Sequence, residues 1–169
     1  LYYRTAFGGG HVLNTKDTCT LTKIPELVDA GIDSFKIEGR MKKMEYSAGT
    51  AYLYRKYVDL YLEKGKEWYT HQVKDKNSML WKDYEALSDL YNRGGFSDSF
   101  LFEKDKKKMV YLNKNGHFGT RAGKVLDVEK NRVRFLAQTD LHYQDVLEFR
   151  DDKDHQTYEY TVKDPAERG

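Results

Sequence analysis

Apolar residues recur at spacings of three and four in two stretches of the first 65 residues, and this periodicity predicts two helices. The first covers Thr22–Ala30, with Pro25 in its opening turn and Gly31 as its C-terminal stop. The second covers Met44–Lys64 and is expected to end at Gly65.

Between these helices, the segment GIDSFKIEGR alternates apolar and charged residues with the period of a strand. Phe35 and Ile37 are expected on one face, and Lys36 and Glu38 on the other. In an open sheet the charged pair would simply be solvated, whereas in an α/β barrel it would line the interior near the catalytic rim. Arg40 would begin the loop above that rim and is a candidate for binding a carboxylate or phosphate. The alternation alone leaves both interpretations open.

The pattern changes after Gly65. Residues 66–79 are mostly polar and predict a linker, and WKDYEALSDLYNRGG predicts a helix that stops at its glycine pair. From Lys108 onward, the runs MVYL, RAGKVLDV, RVRFLAQ, DVLEFR and TYEYTV predict five short strands of a small antiparallel barrel. Near the N-terminus, the glycine triplet at residues 8–10 is expected to break regular structure, and Val12 and Leu13 to form a short strand.

Composition limits the fold. The 169 residues, 39% hydrophobic and 33% charged, suffice for one medium domain or two small ones, but a closed eight-stranded α/β barrel needs about 250 residues. Because residue 1 is Leu and no signal peptide follows, we expect a fragment of a longer protein. No apolar run approaches the roughly 20 residues of a membrane span. The single cysteine, Cys19, excludes an internal disulfide and favours a reducing compartment, the cytoplasm.

The charge is unevenly distributed although the net charge is only +2. Residues 104–134 carry 10 basic and 3 acidic residues, whereas residues 135–169 carry 4 basic and 9 acidic ones. The basic part favours an anionic partner such as RNA, while a solvated surface is the commoner origin of such a run. Tyr111 and Phe118 would stack on bases or, alternatively, fill the core. The candidates for phosphate contacts are Lys106, Lys107, Lys108, Arg121, Lys124, Arg132 and Arg134.

The stretch KDTCTLTKIPELVDAGIDSFKIEGRMKKMEY, continued by YRKYVDLY, closely resembles the collagenase-like peptidases, known as peptidase family U32. In that family a run of K-D-L-C, I-P-E-L and A-G-I-D-S-x-K-I-E-G-R-M-K forms the end of a barrel domain. The later DLYNRGGFS and GHFGTRAGKV resemble the family's C-terminal region, so the likeness spans nearly the whole chain. Thr18 stands where the family usually has Leu.

The resemblance implies an α/β plus β fold: the C-terminal fragment of a (β/α)8-type barrel, a helical connector and a small antiparallel β-barrel. The expected divisions are residues 1–65 for the barrel end, 66–103 for the linker and connector helix, and 104–169 for the β-barrel. The missing N-terminal barrel portion would then be a partner, and exposed strand edges would favour self-association of the fragment.

The resemblance also implies a cofactor. Members carry a peptidase label, while several resemble or are enzymes that hydroxylate RNA bases or quinone precursors with an iron–sulfur cluster. In them the cysteine of the K-D-x-C run is one of four cluster ligands, which makes Cys19 the expected ligand in the full-length parent. The other three ligands are not in this chain, so we expect the fragment to hold no metal. Without the resemblance, one cysteine is more simply a buried or half-exposed thiol.

The peptidase label finds no support in local motifs. Neither a Ser/His/Asp or Cys/His arrangement nor an HExxH motif is evident. The histidines are scattered without metal-ligand spacing and are expected to be surface or capping residues: His11, His71, His117, His142 and His155.

Oxidative modification of RNA bases by the parent is therefore the favoured function, with Cys19 as a cluster ligand. Lys36, Glu38 and Arg40 are expected to line the substrate side as catalytic residues. Peptide hydrolysis, which the family label predicts, and a non-catalytic RNA- or protein-binding module are the alternatives. The fragment alone is expected to be inactive because most of the barrel is absent.

Overall fold

A computed structural model of the chain describes residues 3–5, 8–40, 42–113, 116–130, 132–151 and 156–168. Internal contacts divide the chain into two compact units, Leu1–Gly119 and Thr120–Gly169. The sequence placed its divisions after residues 65 and 103 instead. One predicted surface histidine, His155, lies outside the described residues.

Within its described residues, the first unit contains four α-helices and two small sheets. Antiparallel strands β1 and β2 form one sheet, and strands β3 and β4 pair in parallel. The elements in chain order are β1 (Tyr3–Thr5), β2 (Gly8–Gly10), β3 (Asp17–Thr18), α1 (Ile24–Asp29), α2 (Met44–Lys74), α3 (Met79–Leu90), β4 (Phe96–Ser97) and α4 (Ser99–Phe102), with short 3-10 helices at Leu21–Lys23 and Lys106–Met109.

Helix α2 is ten residues longer than the periodicity predicted. Gly65 does leave helical geometry, with φ 77° and ψ 179°, but the chain resumes its helix and continues to Lys74. The predicted linker is therefore wrong for residues 66–74. Trp68, Tyr69 and Val73 keep the helical spacing among polar neighbours and pack against the core, with Tyr69 fully buried.

The core of the first unit is rich in tyrosine. Each buried ring keeps a partner for its hydroxyl, which offsets the cost of desolvating that group. Tyr57 donates to Asp83 at 2.7 Å, and Tyr69 donates to the Leu21 carbonyl at 2.6 Å. The buried cluster comprises Cys19, Leu21, Ile24, Leu53, Tyr57, Tyr61, Tyr69, Leu80 and Leu87.

Two strands predicted in the first 65 residues are absent. Residues 32–39 lie outside any helix or strand, although Phe35 and Ile37 are half-buried and Lys36 and Glu38 are exposed, as the alternation predicted. A strand needs a hydrogen-bonded neighbour, and no described segment pairs with residues 32–39. The expectation for the N-terminus is also wrong, because the glycine triplet forms β2 and residues 12–13 form a turn.

In the residues that the structure describes, the second unit contains two antiparallel hairpins, β5 (Gly123–Glu129) with β6 (Arg132–Ala137), and β7 (Val146–Arg150) with β8 (Gln156–Thr161). Phe135 and Phe149 meet edge to face with centroids 5.9 Å apart, so they link the hairpins. The four strands follow four of the five predicted runs. The MVYL run forms only a single bridge, from Val110 to Thr15.

The larger folds stay predictions. The sheets in the described ranges are all two-stranded, and they close neither an α/β barrel nor a small β-barrel. No helix in those ranges combines the length and apolar character that a membrane span requires.

We expect Tyr69→Phe to lower the free energy of unfolding by about 1–3 kcal/mol, because the Leu21 carbonyl would lose its donor in a buried site. The control is Tyr52→Phe, since Tyr52 lies on the same helix with 66% of its surface exposed. Urea denaturation of both variants provides the measurement. Equal stability of the two would contradict the role of the Tyr69 hydroxyl.

Candidate functional site

The K-D-x-C motif and the R-G-G-F-S motif meet in the parallel pair of β3 and β4. Asp17 lies opposite Phe96, and Thr18 lies opposite Ser97. The pairing extends one residue further, because the Cys19 N–H donates to the Ser97 carbonyl at 3.0 Å. Cys19 therefore sits at the end of a strand that is held from the side.

An ion pair fixes the start of this strand. The Arg93 side chain donates to Asp17 Oδ1 from Nε at 3.1 Å and from Nη2 at 2.9 Å. The Arg93 backbone N–H donates to Asp17 Oδ2 at 2.8 Å. These bonds raise the pKa of Arg93, against an opposing effect of burial. Asp17 is 9% exposed, so both its oxygens are satisfied in a largely dry place.

Asn92 shapes the loop that carries Arg93. Its side chain is 1% exposed and makes four hydrogen bonds. Nδ2 donates to the carbonyls of Ser88 at 2.9 Å and Gly119 at 3.0 Å, and Oδ1 accepts from the N–H groups of Gly94 at 3.1 Å and Gly95 at 2.8 Å. All the hydrogen-bonding capacity of a buried amide is then used, which holds the loop in one conformation.

Two glycines allow this loop to turn. Gly94 has φ +82° and Gly95 has φ +95°, a region that side chains rarely adopt. Gly94 also lies directly against the ring of Tyr111. Tyr111 in turn meets Phe118 edge to face with centroids 5.0 Å apart. Both rings are half-buried, and whether they stack on bases stays a prediction.

Cys19 is buried beneath Tyr54. The thiol is 2% exposed, and the Tyr54 hydroxyl donates to Sγ at 4.0 Å while accepting the Thr20 N–H at 2.8 Å. Burial raises the pKa of Cys19 to about 11, and the charge of Asp98 adds to that rise. Burial also raises the pKa of Tyr54, so its hydroxyl stays a donor at neutral pH. The sulfur is therefore a protonated thiol in this chain.

The donor set does not suit a complete iron–sulfur cluster. Cys19 is the only cysteine in the sequence, and a cluster normally takes four thiolates. No group of three or more His, Cys, Asp or Glu side chains that could hold a metal occurs in the part of the chain that the structure describes. Cys19 would supply one soft ligand, and would have to lose its proton to do so.

The segment that carries the predicted catalytic residues packs near Cys19, but the side chains of those residues are exposed to solvent. Phe35 meets Tyr54 edge to face with centroids 6.2 Å apart, which places the GIDSFKIEGR segment beside the tyrosine over Cys19. Lys36, Glu38 and Arg40 are exposed, and Glu38 Oε1 accepts the Arg40 N–H at 3.1 Å. Their catalytic roles stay predictions.

The predicted phosphate contacts fall into both units. Lys106, Lys107 and Lys108 are exposed on the 3-10 helix of the first unit, and Lys108 pairs with Glu103 at 3.7 Å. The remaining four lie in the second unit and are also exposed: Arg121, Lys124, Arg132 and Arg134. Arg134 is paired with Asp127 at 3.3 Å. No single surface is thereby defined.

Sequence reasoning missed Arg93, Asn92 and Tyr54. Asn92 and Arg93 stand in the DLYNRGGFS stretch, which supplied a family resemblance and a glycine helix stop but no role for these two residues. An Asn two residues before a pair of glycines is the sequence signal that would have indicated a turn stabilised by the Asn side chain. Arg93 contacts a residue 76 positions away, and no local pattern reports such a distance. Tyr54 was hidden because it continues the helical periodicity of α2.

The sequence model of peptidase family U32 matches residues 4–111. This range includes β3, β4, Cys19, Asp17 and Arg93. No solved structure gives a significant match to the chain.

Similar proteins occur in bacteria and in Methanocaldococcus jannaschii. A tRNA hydroxylation protein P2 of Bacillus subtilis is 42% identical over 60 residues, 36% of this chain and 19% of that protein. An uncharacterized protease of Methanocaldococcus jannaschii is 34% identical over 116 residues, 69% of this chain and 24% of that protein. The 23S rRNA 5-hydroxycytidine C2501 synthase of Escherichia coli is 41% identical over 54 residues, 32% of this chain and 8% of that protein. The matched stretches therefore span a quarter or less of these relatives.

We expect Gly94→Ala to destabilise the protein more than Gly95→Ala. Both substitutions place a side chain at a positive φ, which destabilises the fold by about 1–3 kcal/mol. Only at Gly94 would the new Cβ also lie 2.1 Å from the Tyr111 ring. That overlap adds about 1–3 kcal/mol. Thermal unfolding of both variants measures the difference, and similar midpoints would show that Tyr111 does not constrain the loop.

We expect Cys19 to react with iodoacetamide at about pH 8 at least roughly tenfold more slowly in the folded chain than in the urea-unfolded chain, since the thiolate is the reactive form. The folded rate should keep rising with pH up to about 11. Labelling reports on Cys19 alone because the chain has no other cysteine. Equal folded and unfolded rates would argue against a shielded thiol.

Proposed function

The chain belongs to peptidase family U32, and from that membership we propose that it serves in the hydroxylation of bases in RNA. The observation that carries the proposal is that several similar proteins are named for the hydroxylation of RNA. They include tRNA hydroxylation proteins of three bacteria and a 23S rRNA 5-hydroxycytidine synthase. The RNA differs among these relatives, but hydroxylation is named in each case. We therefore propose the reaction for this chain and leave the particular RNA open. An RNA substrate also agrees with the reducing compartment predicted from the single cysteine.

Cys19 is the residue that we propose for the redox centre. It would be one of four ligands to an iron–sulfur cluster in the complete protein, and three would come from outside this chain. Such a cluster supplies single-electron chemistry when bound. The part that this chain plays is to hold the sulfur: β4 fixes the backbone at Cys19, and the Asp17–Arg93 pair anchors the strand two residues before it.

The exposed charged residues belong to the substrate side in this proposal. Lys36, Glu38 and Arg40 belong to the GIDSFKIEGR segment, which packs beside Tyr54 through Phe35, and there the RNA would meet the protein. Lys106, Lys107, Lys108, Arg121, Lys124, Arg132 and Arg134 are proposed phosphate contacts. The GIDSFKIEGR segment would form part of the end of an α/β barrel, as the resemblance to the family implies.

Peptide hydrolysis is the second candidate, because the family carries that label and one relative is named an uncharacterized protease. Peptide hydrolysis by a cysteine nucleophile needs an accessible thiolate beside a base. Cys19 has neither feature: it is buried, its pKa is raised, and its side-chain hydrogen bond comes from a tyrosine. The geometry around this residue therefore favours the hydroxylation proposal.

The decisive experiment is mass spectrometry of nucleosides from tRNA and rRNA after deletion of the gene in its source organism. We expect one hydroxylated nucleoside to disappear. The wild-type gene should restore it and Cys19→Ser should not. Thr18→Leu is the matched control, because Thr18 is exposed and adjacent to Cys19, and Leu is the residue that the resemblance to the family implies at this position; this variant should restore the nucleoside.

The purified proteins separate the alternatives. Iron and sulfide measured after anaerobic purification of the complete protein should be present in wild type and Thr18→Leu but depleted in Cys19→Ser. Unchanged nucleosides on deletion, together with casein or gelatin cleavage by the purified protein, would replace the proposal with the peptidase function.

A further inference from the structure

A stack of three side chains from distant parts of the first unit lies beside the Asn92 loop. The ammonium of Lys42 is 2.9 Å from the centroid of the Tyr91 ring. On Tyr91 the ring of His117 stacks nearly parallel, with centroids 5.1 Å apart and an angle of 16°. Tyr46 meets Tyr91 edge to face at 6.1 Å. The stack combines a cation with two aromatic rings, which is the composition of many single-strand RNA sites.

The stack is held by the same loop that holds the site. The Asn92 N–H donates to Nδ1 of His117 at 3.1 Å, and the Asn92 carbonyl accepts the Phe118 N–H at 2.8 Å. Nδ1 also lies 3.2 Å from the Asn92 carbonyl, so the ring is held against the Asn92 backbone on both its N–H and its carbonyl. The imidazole is thus fixed in orientation before any ligand arrives, which lowers the entropic cost of binding.

His117 is the exposed end of the stack. Its side chain is exposed while Tyr91 is half-buried. Tyr111 and Phe118, the aromatic residues proposed from sequence for stacking, are half-buried and packed against each other instead. Of these aromatic residues, only His117 is an exposed ring that stands parallel to another ring.

Lys42 forms the other end of the stack. Lys42 belongs to a turn in which its N–H donates to the Gly39 carbonyl at 3.0 Å, and the turn also carries Arg40 and Lys43, both exposed. The guanidinium of Arg93 is committed to Asp17 and is not part of this group. Cations beside an aromatic platform are placed to contact the phosphates that flank a stacked base.

We propose that His117, backed by Tyr91, is a stacking platform for an unpaired base of RNA, and that the turn with Arg40, Lys42 and Lys43 contacts the adjacent phosphates. This inference rests on the proposed function and adds to it the residues that would hold the substrate strand. Sequence alone identified His117 only as a surface or capping residue, because its partner Tyr91 is 26 positions away.

The test uses a single-stranded RNA of about 12 nucleotides with 2-aminopurine at its centre, within the size of a typical single-strand site. Stacking of the fluorescent base on a ring quenches its emission, whereas contacts to phosphate alone do not. Wild type should quench the probe on binding. The matched variants are His117→Phe, which keeps a ring without the Nδ1 acceptor, and His117→Asn, which keeps an acceptor without a ring.

We expect His117→Phe to retain quenching and affinity, and His117→Asn to lose the quenching and bind roughly five- to a hundredfold more weakly. The reverse pattern would show that His117 acts only by holding the Asn92 N–H, and would overturn the platform. Circular dichroism of both variants checks that the loop change has not unfolded the unit.

An abasic RNA of the same length separates this inference from the proposed function. Weaker binding of the abasic RNA by wild type supports stacking. Equal binding of both RNAs, lost at high salt, would reject the platform while leaving an RNA substrate in place. Wild type that binds neither RNA would reject both the platform and the RNA function.

Discussion

The ion pair between Asp17 and Arg93 is the contact on which the candidate site depends. It joins the strand that leads into Cys19 to the loop after helix α3, two segments 76 residues apart in the chain. Arg93 reaches Asp17 with both its side chain and its backbone, so the position of the loop backbone is fixed together with the guanidinium. Loss of the Arg93 side chain would leave the Asp17 carboxylate nearly buried without its cation, which is costly.

The remaining geometry follows from that contact. The loop can approach β3 only because Gly94 and Gly95 take positive φ values and Asn92 binds both their N–H groups. The same Asn92 holds His117 through its backbone. Asn92 therefore holds the glycine turn through its side-chain amide and the exposed aromatic stack through its backbone. A shift of the Asn92 backbone would disturb the loop beside β3 and the proposed RNA platform together.

Local pattern was enough for helices α1 and α3, for α2 as far as Gly65 and for the four strands of the second unit, because those signals lie within a few residues of one another. Helix α3 and the stop at Gly31 follow directly from periodicity and glycine. The pairing of β3 with β4 was out of reach, since two-residue strands have no pattern of their own. The strand predicted in GIDSFKIEGR kept its alternation of burial but formed no ladder, because alternation describes faces and not neighbours.

The surroundings of Cys19 bear on the choice between the family label and the hydroxylation proposal. A hydrolytic cysteine is activated by a base and an open approach, and both lower the barrier to forming thiolate. In this chain the opposite holds, since burial raises the pKa of Cys19 to about 11 and a tyrosine covers the sulfur. A nearby metal cation would reverse that electrostatic cost, because it stabilises the thiolate directly. A buried, protonated thiol on a firmly held strand is poorly suited to attack a peptide, but its geometry is compatible with a ligand that is deprotonated only when metal is present.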